Sequence, residues 1–392
     1  MSHQLPVYSP LTAGAVLRSL FASDGSTDRL RTRLAERFGV DPESVVLTGS
    51  GTQALGLAIG LTCRGGGLGT VALPAYTCWD VGTAAQSAGV TASYFDLNPN
   101  DLSPDLASLE AVLRSGVDAA VVSPVYGYPV NWDEIHELTK AYGCPLIEDA
   151  AQGHGTFLQD RPVGSFGDLS MVSFGRGKGW TGGGGGALLV RTEAFDPHDR
   201  VVAMPRRRIR ATIRWAGMAF AQALLGRPTL YGVPSSLPTL GLGETVYHPP
   251  GEAMTMLPGT AALALHMESR ADEEVEIRRR WARELWERLD AVSHIRIIRP
   301  ALSGGGFLRL AIRIPDVSPG SERSMRPLGI ERGYPLALPD VPELRKTSSA
   351  PIPQNAGFPG ARSLARELYT LPTHSHLRAP DVDRIVAALS GH

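Results

Sequence analysis

Short apolar runs alternate with amphipathic stretches from about residue 28 to residue 190 of this chain. The apolar runs have the length of buried strands, and the stretches between them have the 3.6-residue spacing of helices. Strands that alternate with helices form a mostly parallel sheet covered on both faces, and such sheets bind ligands at the carboxyl ends of their strands. The pattern therefore predicts an α/β fold. We predict strands at 44–47, 70–74, 92–95, 119–123, 146–147 and 169–174, and helices at 28–38, 53–61, 78–88, 106–114 and 132–142.

A segment from about residue 205 to residue 250 interrupts this alternation. An apolar stretch from Trp215 to Leu225 precedes a part rich in Pro and Gly. A basic amphipathic helix can lie on a membrane surface. The apolar part is short and rich in alanine, so we favour a helix packed on its own subunit or on a partner, with its arginines in solvent or bridging phosphate. The arginines at its start are Arg206, Arg207, Arg208, Arg210 and Arg214.

A long helix is predicted from about Gly259 to Leu289, and we expect it to join two domains. Strands at 295–298 and 307–314 and a last helix at 380–389 then predict a small α+β domain. We expect a large domain at residues 1–258, with an atypical insert at about 205–250, and the linker helix with the small domain at residues 259–392. The charged residues of the long helix are expected on a solvated face. They are Glu273, Glu274, Glu276, Arg278, Arg279 and Arg280.

Composition excludes several classes of protein. The 392 residues carry a formal net charge of −1, so no general attraction to nucleic acid is expected. The three cysteines, Cys63, Cys78 and Cys144, lack the paired spacing of a metal site and fit a reducing cytoplasm. The chain begins without the pattern of a signal peptide, and its apolar runs are shorter than the roughly 18 residues that a spanning helix needs. We expect a cytoplasmic protein with no metal site.

A turn rich in glycine and hydroxyl groups follows the first predicted strand and opens a helix. Its sequence is Thr-Gly-Ser-Gly-Thr-Gln-Ala-Leu at residues 48–55. Glycines allow an anion to approach the backbone, and the first amides of a helix bind phosphate. The alternative is an ordinary helix cap.

Two other strand ends carry chemistry. Asp149 ends an apolar strand, and a buried carboxylate there suits a protonated ring nitrogen; its alternative is a helix cap or a salt bridge. Gln152 follows at the spacing of one turn and could reach the same ring. The segment Pro-Ala-Tyr-Thr-Cys-Trp at 74–79 offers Tyr76 or Trp79 to stack on a planar group, or else as core residues.

Lys178 closes the turn Ser-Phe-Gly-Arg-Gly-Lys at 173–178, and five glycines follow at 182–186. A desolvated lysine has an amine that can attack an aldehyde, although most lysines are solvated surface charges. The glycines predict a close backbone approach or positive φ, and the apolar residues 187–190 after them favour a tight entry into a strand over a flexible loop.

In this order the motifs resemble the DegT/DnrJ family of aminotransferases, which are fold-type I enzymes dependent on pyridoxal 5'-phosphate. The matching stretches lie at 49–55, 74–77, 148–152, 164–168 and 173–178, and Leu-Pro-Thr-His at 371–374 resembles the C-terminal signature of the family. The resemblance implies a mostly parallel seven-stranded sheet with helices on both faces and a smaller C-terminal α+β domain.

The resemblance also assigns residues. Lys178 would form the covalent link to the cofactor, Asp149 would pair with the pyridine nitrogen, and Gln152 would lie near the phenolic oxygen. The phosphate would be held by Gly51, Thr52 and Ser173. The ring would be bordered by Tyr76, Cys78 or Trp79, because the usual stacking aromatic aligns nearest Cys78. His154 would line the substrate side, with a surface histidine as the alternative.

The implied reaction moves an amino group from glutamate or glutamine to a keto sugar or related carbonyl acceptor in sugar, polysaccharide or natural-product biosynthesis, and the implied assembly is a homodimer. The alternatives are elimination or ring formation with the same cofactor, and a silent binding module on the same fold. Family members often present an Asn-x-Arg-Met stretch to the neighbouring subunit, where this chain has Glu-Ala-Met-Thr-Met at 252–256. The best-known members of the family aminate keto sugars on nucleotides. That departure and the atypical insert at about 205–250 both weaken the inference to such substrates more than the inference to the cofactor.

Overall fold

The computed structural model describes residues 3–63, 69–198, 204–205, 209–229, 231, 245–345 and 357–391. In these ranges a seven-stranded sheet with helices on both faces is followed by a long helix and a four-stranded sheet. The predicted α/β fold class is confirmed. The bounds of the two domains, at 1–258 and 259–392, stay a prediction.

The predicted elements between residues 28 and 190 all form, within three residues at each end, and the first helix and a short hairpin at 157–162 were not predicted. The helices are α1 (Ala13–Ser19), α2 (Gly25–Phe38), α3 (Gly51–Thr62), α4 (Trp79–Ala88), α5 (Leu106–Arg114), α6 (Trp132–Ala141), α7 (Ile209–Leu225), α8 (Pro258–Leu289), α9 (Pro319–Met325), α10 (Pro359–Glu367) and α11 (Ala379–Ser390). The strands are β1 (Val45–Thr48), β2 (Thr70–Pro74), β3 (Thr91–Phe95), β4 (Ala119–Val122), β5 (Leu146–Asp149), β6 (Phe157–Leu158), β7 (Arg161–Pro162), β8 (Leu169–Ser173), β9 (Gly186–Val190), β10 (Arg296–Ile297), β11 (Leu310–Arg313), β12 (Glu331–Arg332) and β13 (Leu368–Leu371).

The large sheet has the strand order β1-β9-β8-β5-β4-β2-β3. The five strands from β8 to β3 are parallel, whereas β9 pairs antiparallel with both β8 and β1. Strand β5 lies in the middle, and Leu146 and Ile147 are fully buried. Because parallel strands end at the same edge, the residues that follow β2, β4, β5 and β8 are brought together there.

Helix α7 of the insert packs on its own chain. Its Trp215, Ala219 and Ala223 are buried against α1 and the start of α8. This agrees with the interpretation favoured from the sequence, and Arg210 and Arg214 are exposed. Arg206, Arg207 and Arg208 lie outside the described residues. Among the helices that are described, none is long and apolar enough to cross a membrane.

Helix α8 corrects one expectation. Glu274 and Arg278 are only 5% and 1% exposed, so the prediction of a solvated face is wrong for this pair. Residues four apart share one face of a helix, and this face is covered by other parts of the chain. The Glu274 carboxylate accepts hydrogen bonds from the Ser375 amide, at 3.2 Å, and from its hydroxyl. Burial lowers the pKa of Arg278 to about 10.

The small sheet has the order β10-β11-β13-β12, and each pair in it is antiparallel. Strand β13 was not predicted, because Leu371 had been interpreted only as the start of the Leu-Pro-Thr-His signature.

Candidate active site

Asp149 stands at the carboxyl end of the central strand β5. Its carboxylate accepts a hydrogen bond from the Ser123 hydroxyl, which follows β4, and one from the Ala151 amide at 3.0 Å. The residue is 5% exposed. Two donors from two segments therefore hold this buried carboxylate in one orientation at the functional edge of the sheet.

Glu148, the preceding residue, points to the opposite face because successive strand residues alternate. It is fully buried, and its carboxylate accepts three backbone amides and one hydroxyl. The lowered pKa of Arg191, to about 10, arises from burial and is partly offset by the charge of Glu148 nearby. The donors to Glu148 are Gly164 (2.6 Å), Phe166 (2.7 Å), Gly167 (3.1 Å) and the Ser170 hydroxyl (2.7 Å).

Gln152 joins two tyrosines that the sequence did not single out. Its Oε1 accepts a hydrogen bond from the Tyr126 amide at 3.0 Å, and its Nε2 donates to the Tyr334 hydroxyl at 2.8 Å. The two rings are stacked, with centroids 5.9 Å apart. Tyr126 has a φ of 58°, a conformation that costs a bulky residue about 1–3 kcal/mol and is characteristic of functional sites.

The aromatic turn after β2 brings Cys78 close to the other predicted residues. Desolvation raises the pKa of Cys78 to about 12, the charge of Asp80 raises it further, and the charges of Lys178 and Asp149 act on it with opposite signs. Tyr76 is fully buried, and its hydroxyl accepts a hydrogen bond from the Tyr334 amide at 3.0 Å. Trp79 donates from its indole to the Leu336 carbonyl at 3.4 Å. Contact of Tyr76 or Trp79 with a cofactor stays a prediction.

The turn before α3 forms a narrow cradle with the end of β8. Ser50 caps the helix by accepting a hydrogen bond from the Gln53 amide at 3.2 Å. A Cβ placed on Gly51 would lie 2.7 Å from the Cβ of Ser173, and one on Gly186 would lie 2.6 Å from the Cα of Gly51. The first-turn amides of a helix lack acceptors within the helix and carry its positive end, so this cradle suits an anion. The binding of a phosphate by Gly51, Thr52 and Ser173 stays a prediction.

The segment at 252–255 lies along this helix start within the same chain. Gln53 donates from Nε2 to the Glu252 carbonyl at 2.8 Å and accepts from the Met254 amide at 3.3 Å. Thr255 forms a bridge with Thr48. The residues that replace the Asn-x-Arg-Met stretch therefore support the cradle of their own subunit.

The N-terminal segment holds the loop of Lys178. Buried Ser9 accepts a hydrogen bond from the Gly177 amide and donates one to the Lys178 carbonyl, both at 3.1 Å. Lys178 is half-buried and borders a cavity of about 750 Å³. The cavity is also lined by parts of α7, by residues 5–9, and by Tyr126, Gln152, Arg176, Arg309, Arg332 and Tyr334.

A more open groove of about 1650 Å³ runs along β1 and residues 190–198. Lys178 and Gln152 are absent from its described lining. The cavity beside Lys178 is therefore the candidate substrate site.

The glycine run is an ordered turn rather than a flexible loop. Gly183, Gly184 and Gly185 all have positive φ, and the amides of Gly182 and Gly184 each donate to the Phe174 carbonyl at 3.0 Å. This geometry needs glycine and leads directly into β9, as the sequence predicted.

His154 lies in an ionic cluster between α2 and α8. Its Nε2 is 3.2 Å from Asp272, which also pairs with Arg37 at 2.8 Å, and its side chain is 10% exposed. Burial lowers the pKa of His154. A surface histidine is therefore the wrong interpretation. His154 is not among the described residues that line the cavity, and its role at the substrate stays a prediction.

A sequence model of the DegT/DnrJ/EryC1/StrS aminotransferase family matches residues 12–390. The chain belongs to this family. The resemblance inferred from the motifs is therefore confirmed.

Curated relatives carry named sugar and cyclitol activities. The chain is 35% identical over 145 residues to the L-glutamine:2-deoxy-scyllo-inosose aminotransferase of Streptoalloteichus tenebrarius, across 36% of this chain and 34% of that protein. It is 31% identical over 179 residues to the dTDP-4-dehydro-2,3,6-trideoxy-D-glucose 4-aminotransferase of Saccharopolyspora spinosa, across 44% of this chain and 46% of that protein. The matched part of the chain thus spans about a third to a half of the length of each of these relatives.

Solved structures share the fold along the whole chain. The aminotransferase TlmJ from Streptoalloteichus hindustanus superposes with a TM-score of 0.75 at 23% identity, over 100% of this chain and 98% of that one. A DegT DnrJ EryC1 StrS aminotransferase from Brucella abortus gives 0.72 at 22% identity, over 96% and 95%.

Proposed function

We propose that this protein is a pyridoxal 5'-phosphate-dependent aminotransferase that moves an amino group from glutamate or glutamine to a keto sugar or related cyclic ketone. The observation that carries the proposal is the convergence of Asp149, Lys178 and the α3 cradle at one edge of the sheet. Family membership and the activities named for the curated relatives support it.

The residues present fit the cofactor in three places. The cradle of Gly51, Thr52 and Ser173 offers helix amides and a hydroxyl to a phosphate, and a side chain at Gly51 would clash there. The buried Asp149 carboxylate suits the protonated nitrogen of the pyridine ring. Lys178 offers the amine that the aldehyde requires. Cys78, which lies near both Asp149 and Lys178, leaves a small, neutral side chain beside the ring.

When bound, the cofactor supplies an electron sink that lets the substrate α-carbon lose its proton. The Asp149 carboxylate would hold the positive charge on the ring nitrogen. The Lys178 amine would take the proton from the donor's α-carbon and hold it for return across the transferred nitrogen. Gln152 holds Tyr334 at the wall of the cavity. Arg309 donates to the Thr370 hydroxyl at 3.3 Å and has no carboxylate within ion-pair distance among the described residues, so we assign it to the donor's carboxylate.

We also infer a cytoplasmic homodimer. The free thiols of Cys63, Cys78 and Cys144 support a reducing compartment. The inference of a dimer rests on the family resemblance alone. Light scattering measures the molar mass in solution, and the mass of a monomer would contradict the inference.

Lys178→Ala tests the function. We expect the protein with pyridoxal phosphate to show a visible absorption band, and glutamate or glutamine to shift it with release of one 2-oxo acid per site. Lys178→Ala should lose the band and lower the rate at least about 10³-fold. Lys140→Ala, at an exposed lysine of α6, is the matched control. A band in the unaltered protein that no amino donor shifts would favour elimination or ring formation instead, and absence of the band would overturn the proposal.

A further inference from the structure

Helix α7 forms one wall of the cavity beside Lys178. Met218, Ala221 and Leu225 line it, at spacings of three and four residues that place them on one face. Gln222 lies on the same face and also lines the cavity. Trp215 and Ala219, on the adjoining face of the helix, are buried. The insert therefore presents a stripe of three apolar side chains and one amide to the site.

This wall is fixed to the loop that carries the lysine. The Trp215 indole donates a hydrogen bond to the Gly182 carbonyl at 3.0 Å. A Cβ on Gly183 would lie 3.1 Å from the Cβ of Ala219, so the glycine run lets the helix approach closely. These contacts hold α7 against the loop that follows Lys178.

Tyr231 lies beyond the end of α7 and also lines the cavity; its amide donates to the Arg227 carbonyl at 2.8 Å. Burial and the charge of Glu331 raise the pKa of Tyr231, and the charges of Arg176 and Arg309 oppose that shift. Gly226 lies against Tyr8, because a Cβ placed on Gly226 would be 3.8 Å from the tyrosine ring. Within one subunit, α7, the N-terminal segment and the arginines Arg176 and Arg309 therefore border the same cavity.

The two sides of this cavity differ in chemistry. Arg309 and Arg176 make one side cationic. The other side carries the apolar residues Met218 and Leu225, which are 58% and 37% exposed. Exposed apolar side chains that border a cavity favour a ligand that removes them from water. A sugar ring alone presents mainly hydroxyl groups. The cavity, at about 750 Å³, falls in the range of about 300–1,000 Å³ that holds drug-sized ligands.

We propose that α7 is the specificity wall of the acceptor half-reaction and that it selects a ketone whose polar ring carries an apolar substituent, such as an alkyl or acyl group. Met218 and Leu225 contact that substituent while the carbonyl faces Lys178. This inference rests on the proposed function, because it concerns the acceptor of that reaction.

The test compares two keto-hexopyranosides that differ only in a methyl or a hexyl aglycone. The protein is first converted to its amino-loaded form with glutamate, and the return reaction is then followed with each ketone. The unaltered protein should prefer the hexyl compound at least about tenfold in kcat/KM. Calorimetry with the unreactive hexyl and methyl glucosides should give a lower Kd for the hexyl compound than for the methyl compound.

The double variant Met218→Gln, Leu225→Gln should reduce this preference to within about twofold. The preference is a ratio taken on the amino-loaded protein, so a change in the rate of loading by the donor does not enter it. Ile213→Gln is the matched control, since Ile213 is an apolar residue of α7 that is 68% exposed and is not among the described lining residues. It should keep the full preference.

The outcomes separate the two proposals. If the donor does not load the protein, the proposed function fails. If the donor loads it and the hexyl compound is not preferred, or the double variant keeps the preference, the inference about α7 alone is wrong. Loss of a dimer in the double variant but not in Ile213→Gln would assign the stripe to a second copy of the chain and would also overturn the inference.

Discussion

Glu148 and Asp149 are adjacent carboxylates at the end of the same strand, yet they occupy different environments. Glu148 accepts four hydrogen bonds and is fully buried among the turn at 164–168 and Arg191. Asp149 accepts two and faces the edge where Lys178 and Gln152 lie. Its remaining lone pairs are available to a ligand. The difference shows that Glu148 stabilises the framework on one face of the sheet, and it supports the proposed role of Asp149 in the chemistry on the other.

Asp149→Asn should give the largest effect on the chemical side. The amide keeps the shape and loses the charge that would stabilise a cation in the site, so we expect kcat/KM to fall by about 10²–10³. Steady-state kinetics and thermal melts measure it, with Asp41→Asn, an exposed aspartate, as the control. A loss of less than twofold would remove Asp149 from the chemistry.

Glu148→Gln should act on the framework side. The side-chain amide would face backbone N–H groups that need an acceptor, and Arg191 would lose a nearby charge. We expect the free energy of unfolding to fall by about 3–5 kcal/mol, with kcat per folded molecule unchanged. Urea denaturation checks this against Glu137→Gln, an exposed glutamate of α6. If unfolding is unaltered and kcat falls, the division between the two faces is wrong.

Tyr334→Phe should have a smaller effect that sharpens the chemical side. It leaves the Gln152 amide without its acceptor, which costs about 1–3 kcal/mol, and we expect it to raise KM more than it lowers kcat. Tyr247→Phe is matched, because the Tyr247 hydroxyl donates to Gln86 at 2.7 Å outside the cavity. Equal kinetics in the two variants would make Tyr334 a structural residue only.

A further prediction concerns pH. Burial lowers the pKa of His374 to about 4, while its Nε2 donates to the Leu5 carbonyl at 2.7 Å. Its ordinary value is about 6.5, so between these values the unfolded chain binds the extra proton. Stability should therefore fall as pH drops from about 6.5 to 4, by at most about 1.4 kcal/mol per pH unit. His374→Asn should flatten this slope and exposed His198→Asn should not. An unchanged slope in His374→Asn would contradict the assignment.

Local patterns in the sequence predicted the strand ends well. Asp149, Gln152 and Ser173 each follow an apolar run, and the parallel sheet brings such positions to one edge. The motif at 164–168 carried the family resemblance, yet its geometry is structural, since its amides bind Glu148 and Asp168 accepts the Leu146 amide at 2.8 Å.

Other parts depended on packing between distant segments. Tyr126, Tyr334 and Ser9 reach the site from a turn, the C-terminal sheet and the N-terminal segment, and no local pattern marks them. Glu274 and Arg278 were expected in solvent because a charge series on a helix is ordinarily exposed. Only the tertiary structure shows what covers that face.

The contact of Gly51 with Ser173 and Gly186 has a consequence for maturation of the chain. The cradle is complete only when α3 has assembled with β8 and β9, which lie more than 100 residues later in the chain, and contacts between such distant segments are slow to form. A partly folded chain would therefore lack the anion site, and an anion that binds there would favour the finished fold over earlier states by mass action. Supply of that anion in the cell would thus influence how much of the newly made protein escapes degradation.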